Sequence, residues 1–290
     1  HCFYALINLF REDIYKVGIF SVISLLGGLS IFLYGMDIMG DGLKSSSSKA
    51  LKSMLEKVTH SAVLGMLTGT LVTSVIQSST ATIVLTVGLL SAGILNLRQS
   101  ISIVMGANIG TTVTAQIIRL MDINSSGAAF IEIFKPSTLA PLAVLCGIIF
   151  LKFVKSQKTK GIGMMLMGFG ILFTGLMGMT EAVSPLSESQ AFTDVLQKFS
   201  DVPILGILTG LITTFIVQSS SAVIGMVQAL SSTGAFTFQT VYPLIIGINL
   251  GTCITTAIVC SIGTDKDAKR TGIAHILFNC IGTVLFMAAI

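Results

Sequence analysis

Of the 290 residues, 52% are hydrophobic and only 10% are charged, and the mean hydropathy is +0.91. A soluble globular domain carries about 25% charged residues, so the composition excludes one and reads as an all-α integral membrane protein. The net charge of +4 is spread over short loops instead of one basic face, which excludes nucleic acid as a partner.

Apolar runs long enough for helical spans recur along the chain, without the short alternating segments of a membrane barrel. Residues 1–16 form a mixed flank with Arg11, Glu12, Asp13 and Lys16. The first span is expected from about Val17 to Leu43, rich in glycine (Gly27, Gly28, Gly35, Gly40). Small residues of this kind let membrane helices approach closely. It reads as a true span and not as a cleavable signal peptide. Residues 44–59 read as a basic, interfacial amphipathic segment.

From Ala62 to Leu97 there is no charge until the residue that follows, Arg98. One helix of that length would reach about 54 Å, well beyond a bilayer core. The run must break, and the polar stretch Gln77-Ser78-Ser79-Thr80 lies near its middle. This predicts a re-entrant hairpin that turns within the membrane, which is tolerated only inside protein or along a water-filled cavity. Two short full spans are the alternative. A second span is expected over about Ser100 to Ile118. Its Gly106-Ala107-Asn108-Ile109-Gly110-Thr111-Thr112 reads as a broken or loosened helix. The third span is expected from Pro136 to Phe153, followed by a lysine-rich linker.

The chain then repeats. Leu64–Ile117 aligns without a gap on Leu205–Ile258, and about 20 of the 54 positions are identical. The offset of 141 carries Gln77 onto Gln218 and Gly110 onto Gly251. Gln218-Ser219-Ser220-Ser221 is thus the mate of the first polar stretch. A weaker match sets Gly35, Met39 and Asp41 near Gly175, Met179 and Glu181. The organisation is therefore a flank at 1–16, a first repeat over 17–158 and a second over 159–290. A start at His1 and a stop at Ile290 within an apolar run read as part of a longer chain.

Each half should hold three transmembrane helices plus a re-entrant helical hairpin. An odd number of crossings inverts the second half, the plan of many secondary transporters, and turns the two polar tips toward each other. The basic residues gather in the loops 44–59, 152–160 and 265–270, with Arg98, and fewer lie on the other side. By the positive-inside rule those three loops are cytoplasmic in a multi-pass plasma membrane protein.

Apart from Lys152 at the very end of the third, no lysine or arginine lies within an apolar span. An anion such as phosphate would be held by N–H groups, hydroxyls and helix N-termini. The candidate substrate-binding residues are Gln77, Ser78, Ser79, Thr80, Gln218, Ser219, Ser220 and Ser221. Side-chain oxygens for a small cation such as sodium are offered by Asn108, Thr111, Thr112, Asn249, Thr252 and Thr255. Asp37 and Asp41 share one face near the end of the first span and read as solvated at the interface, with a proton or sodium relay as the alternative. His60 reads as a boundary residue and His275 as a packing histidine, with a proton carrier as its alternative. The five cysteines show no metal or redox spacing and read as packing residues. No nucleophile has a base beside it and no metal motif is present, so there is no catalytic residue to assign and no enzyme is expected.

The doubled Gln-Ser-Ser-(Ser/Thr), the Gly-x-Asn-x-Gly-Thr element after it, and Gly28-Leu29-Ser30-Ile31-Phe32-Leu33-Tyr34-Gly35-Met36 together resemble the sodium/phosphate cotransporter family, the type II carriers and their bacterial relatives. The resemblance spans about residues 18–290 and implies a sodium-coupled phosphate symporter working by alternating access. Thr80 stands where the family has a serine and keeps the hydroxyl. The partners implied are inorganic phosphate, sodium as the coupling ion and the lipid bilayer, with no other cofactor. A homodimer is compatible with this, and a PhoU-like domain beyond residue 290 is what bacterial relatives often carry. The alternatives are a phosphate-binding membrane sensor, or a symporter of another oxyanion such as sulfate.

Overall fold

The computed structural model describes residues 19–56, 61–120, 136–187, 194, 202–261 and 266–288. The flank at 1–16, His60 and most of the loops at 121–135, 188–201 and 262–265 lie outside them. The described residues form helices: α1 (Ile19–Glu56), α2 (Ala62–Ile76), α3 (Ser79–Ser91), α4 (Leu97–Arg119), α5 (Pro136–Phe153), α6 (Gln157–Ser187), α7 (Pro203–Val217), α8 (Ser220–Ser231), α9 (Phe238–Ser261) and α10 (Lys266–Met287). The segment expected to follow the first span as a separate interfacial helix instead continues α1 to Glu56.

Among the described residues, five helices are long and apolar enough to cross a bilayer: α1, α4, α6, α9 and α10. The third expected span, α5, is a shorter apolar helix. The arms α2 and α7 are 15 residues long, and α3 and α8 are 13 and 12. At 1.5 Å per residue each arm reaches about 18–22 Å, short of a bilayer core of about 30 Å. Both uncharged runs therefore break where the polar stretches stand.

Glycine decides which helices meet. Gly28, Gly35 and Gly42 of α1 face Gly175, Gly168 and Gly161 of α6, so the two helices run antiparallel. A Cβ at Gly35 would lie 2.3 Å from the Leu172 amide nitrogen, and one at Gly168 or Gly175 equally close to the Met39 or Phe32 nitrogen. Around this seam Phe32, Met36, Met39, Leu172, Phe173, Leu176 and Met179 form the largest buried cluster. Ser46 Oγ lies 3.4 Å from the Lys158 carbonyl, so the end of α1 and the lysine-rich linker share one end of the molecule.

The Gly106–Thr112 stretch does not break its helix: α4 is continuous through it. Its glycines serve close approach to α2 instead. A Cβ at Gly106 would fall 2.0 Å from the Met66 carbonyl oxygen, and one at Gly69 the same distance from that of Ile103. The second half repeats this contact at the same register. A Cβ at Gly247 would meet the Ile207 oxygen at 2.1 Å, and one at Gly210 the Leu244 oxygen at 2.2 Å. In both halves, then, the first hairpin arm is pressed backbone to backbone against the long helix that follows the hairpin. The second arms cross over: α3 touches α9, and α8 touches α4.

Candidate functional site

Each hairpin turns on one glutamine. Gln77 (φ 59°) and Gln218 (φ 57°) cap α2 and α7 in the left-handed conformation, and they are the only non-glycine residues with positive φ among those described. That conformation costs roughly 1–2 kcal/mol for an L-residue, and glycine usually takes it. Glutamine brings an amide that glycine lacks. Gln77 Nε2 donates to the Ser74 carbonyl and Gln218 Nε2 to that of Phe215. Each thus covers a carbonyl that the helix end would leave open. Gln77 Oε1 accepts a bond of 2.8 Å from Thr114 Oγ1, and Gln218 Oε1 one of 2.9 Å from Thr255 Oγ1. Thr114 and Thr255 sit on α4 and α9, so the long helix of each half pins the tip of its own hairpin.

One residue later a new helix starts. Ser78 and Ser219 are extended N-caps whose hydroxyls accept from the Ala81 and Ala222 N–H groups, at 3.2 and 3.3 Å. The N–H groups of Ser79, Thr80, Ser220 and Ser221 stand in the first turns of α3 and α8, where no helical carbonyl is available. The positive ends of both helices bear on the same space.

That space is one cavity of about 320 Å³. All eight residues of the two polar stretches line it. Of the six candidate cation ligands, Thr111, Thr252 and Thr255 also line it. Asn108, Thr112 and Asn249 do not. Asn108 turns to α10, where its Oδ1 lies 3.1 Å from Nε2 of the buried His275. Thr112 donates to the Ile109 carbonyl on the exposed side of α4, and Asn249 is exposed on α9. Three further threonines line the cavity: Thr73, Thr114 and Thr214. A signal for them was present, since Thr73 maps onto Thr214 and Thr114 onto Thr255 at the repeat offset. Asp37, expected at the interface, lines the cavity as well, while Asp41 is ion-paired to Lys44 at 3.1 Å. No lysine or arginine is among the lining residues.

Apolar helices of spanning length around a closed set of hydroxyl and amide groups define a multi-pass membrane protein of the transporter class. The Na+/Pi-cotransporter family model matches the chain twice, over residues 31–181 and 177–290. The chain belongs to that family. It is 28% identical over 266 residues to the uncharacterized protein YqeW of Bacillus subtilis, covering 92% of this chain and 81% of YqeW. It is 24% identical over 267 residues to the putative inorganic phosphate export protein YjbB of Escherichia coli K12. That match covers 92% of this chain but 46% of YjbB, so the chain spans about half the length of that relative. Human sodium-dependent phosphate transport protein 2B is 34% identical over 108 residues, 37% of this chain and 16% of its own. No solved structure matches.

Proposed function

We propose that the chain is a sodium-coupled carrier of inorganic phosphate, working by alternating access between two inverted repeats over 17–158 and 159–290. The observation that carries this is the shared cavity, where the N-capped starts of α3 and α8 meet with no basic side chain. A tetrahedral oxyanion needs several donors from different directions. Two helix N-termini and the hydroxyls of Ser78, Ser79, Thr80, Ser219, Ser220 and Ser221 are such a set. Gln77 and Gln218 hold the two tips in place and line the same space. Thr111, Thr252 and Thr255 offer oxygen atoms to a sodium ion bound beside the anion, whose charge it offsets in a low-dielectric site.

The carrier reading places the basic ends of α1 and α6 in the cytoplasm. The names of the relatives support phosphate as cargo and sodium as the coupling ion: one names phosphate export, another sodium dependence. Purified protein in proteoliposomes tests this. Radiolabelled phosphate should accumulate when a sodium gradient is imposed, and replacing sodium by choline should reduce uptake to the level of empty vesicles. Uptake indifferent to sodium would overturn the coupling. Binding without any flux would leave a sensor, and preferential competition by sulfate would reassign the cargo.

A further inference from the structure

The two hairpins match in sequence and differ in surroundings. At the repeat offset of 141, Gly225 of α8 corresponds to Val84 of α3, Ala229 to Gly88, and Ile117 of α4 to Ile258 of α9. Gly225, Ala229 and Ile117 are packed. The arm α8 lies against α1 and α6, and a Cβ at Gly225 would stand 2.7 Å from the Phe32 ring. Ala229 belongs to the buried cluster of the α1–α6 seam, and Ile117 packs against it. Their counterparts are open. Val84 is 45% exposed and Ile258 47%, and a Cβ at Gly88 would meet nothing within 4 Å. The arm α3 lies against α10.

The seam itself is alike from both halves. The register that carries Gly35 onto Gly175 is an offset of 140, and it also carries Gly28 onto Gly168. The contacts Gly28–Gly175 and Gly35–Gly168 therefore exchange with each other, and Phe32 maps onto Leu172. The seat that α8 fills beside Phe32 has its counterpart for α3 beside Leu172. These seats serve opposite ends of the cavity. Ser220 and Ser221 share the cavity with Met36 and Asp37, and Gly225 reaches Phe32, so α8 covers the seam on the side away from Lys44. Toward Lys44 the cavity continues into a second one of about 260 Å³, which runs along Gly40 and Asp41 and shares Met36, Asp37, Gln77 and Ser78 with the first.

A packed apolar seam switches between discrete arrangements instead of deforming smoothly. Seating α3 would bury the open face of Val84 and Gly88, and releasing α8 would uncover the matching face of Gly225 and Ala229, so the packing lost on one side is offset on the other. We propose that the α1–α6 seam is a two-position gate. In this structure α8, seated on Phe32, shuts the side of the cavity away from Lys44. In the alternate state α8 leaves, and α3 seats Val84 and Gly88 beside Leu172, which shuts the Lys44 side and opens the other. This rests on the carrier reading above and deepens it by naming the contact that closes each side.

The test is hydrogen exchange of the two arms, read by mass spectrometry on purified protein without transport. In the wild type the amides of α8 should exchange more slowly than the matching amides of α3. Gly225→Leu overfills the seat at Phe32 and should reverse that order, with α8 faster and α3 slower by roughly tenfold. Faster exchange in α8 with no slowing in α3 would overturn the proposal, because the arms would then move independently. If Gly225→Leu does not fold, Gly225→Ala asks less of the Phe32 ring and should shift both arms in the same directions to a smaller degree; an α3 exchanging as in the wild type would overturn it equally. Val84→Asn tests the other seat. The side chain is exposed in this structure and buried in the alternate one, so the variant should bind phosphate as the wild type does and lose uptake roughly tenfold or more. Val63→Asn, on the exposed face of α2, should lose neither. Wild-type uptake in Val84→Asn would contradict the gate. Arms that reverse in a protein that moves no phosphate would sink the carrier reading and leave the gate standing.

Discussion

Thr114 of α4 donates a 2.8 Å hydrogen bond to the side-chain oxygen of Gln77, and Thr255 of α9 donates one of 2.9 Å to Gln218. These bonds join each hairpin tip to the long helix of its own half. They also tie two left-handed residues to a frame that can hold them. A net contribution of about 1 kcal/mol per bond is comparable to the cost of the left-handed conformation, so the pair makes each tip rigid without making it stable in isolation.

Removing the hydroxyl should loosen the tip and weaken substrate binding. Thr114→Val and Thr255→Val should each raise the phosphate concentration for half-maximal uptake by roughly tenfold, and Thr114→Ser and Thr255→Ser should stay near wild type. The phosphate dependence of initial uptake rates checks this, and equal values for valine and serine variants would refute it.

Gln77 and Gln218 separate conformation from chemistry. Glycine relieves the positive φ but has no amide, whereas alanine has neither relief nor amide. Gln77→Gly should be more stable than Gln77→Ala by about 1 kcal/mol, and so unfold at a higher temperature, yet both should lose most uptake. Thermal unfolding beside uptake on the same preparations reads both quantities. Uptake restored by glycine would mean that the amide does nothing beyond tolerating the turn.

Glycine contacts give a prediction about folding alone. A Cβ at Gly35 would meet the backbone of α6 and one at Gly106 the backbone of α2, while one at Gly27 or Gly88 meets nothing within 4 Å. Gly35→Ala and Gly106→Ala should therefore destabilise by about 1–3 kcal/mol. Gly27→Ala and Gly88→Ala should be neutral or slightly stabilising, since alanine favours the helix. Melting temperatures in one detergent order the four variants.

His275 and Asn108 hold α10 to α4 at 3.1 Å, and each keeps one buried nitrogen without a partner. His275→Leu leaves the Asn108 amide wholly unpaired, which should cost about 1–3 kcal/mol. His275→Leu combined with Asn108→Leu should cost less than the sum of the two single changes. A thermal double-mutant cycle measures the coupling; strict additivity would contradict the contact.

The hairpins were legible because two local facts coincide: an uncharged run too long for one span, and four polar residues at its middle. The repeat offset then brought Gln77 and Gln218 to one site with no tertiary information. The same pattern misread Gly106–Thr112. Glycine answers two needs, backbone freedom and close approach, and only the neighbouring helix tells them apart. Here α2 lies against Gly106, so α4 stays unbroken. Asn108 and Asn249 lie outside the cavity lining: polarity in an apolar helix does not say which group it meets, and for Asn108 that group is His275 on a distant helix. Asp37 reads from the sequence as solvated at the interface; it is exposed, and that it also lines the cavity shows only once the hairpin tip is set beside α1.

Two hairpin tips that hold one anion together form a single site. Isothermal titration of phosphate into purified wild-type protein in sodium should give one site per chain. Ser78→Ala and Ser219→Ala, each removing the cap from one of the two helix starts, should each weaken that single site by about 3- to 30-fold. Two sites per chain, or undiminished affinity when either cap is removed, would contradict it.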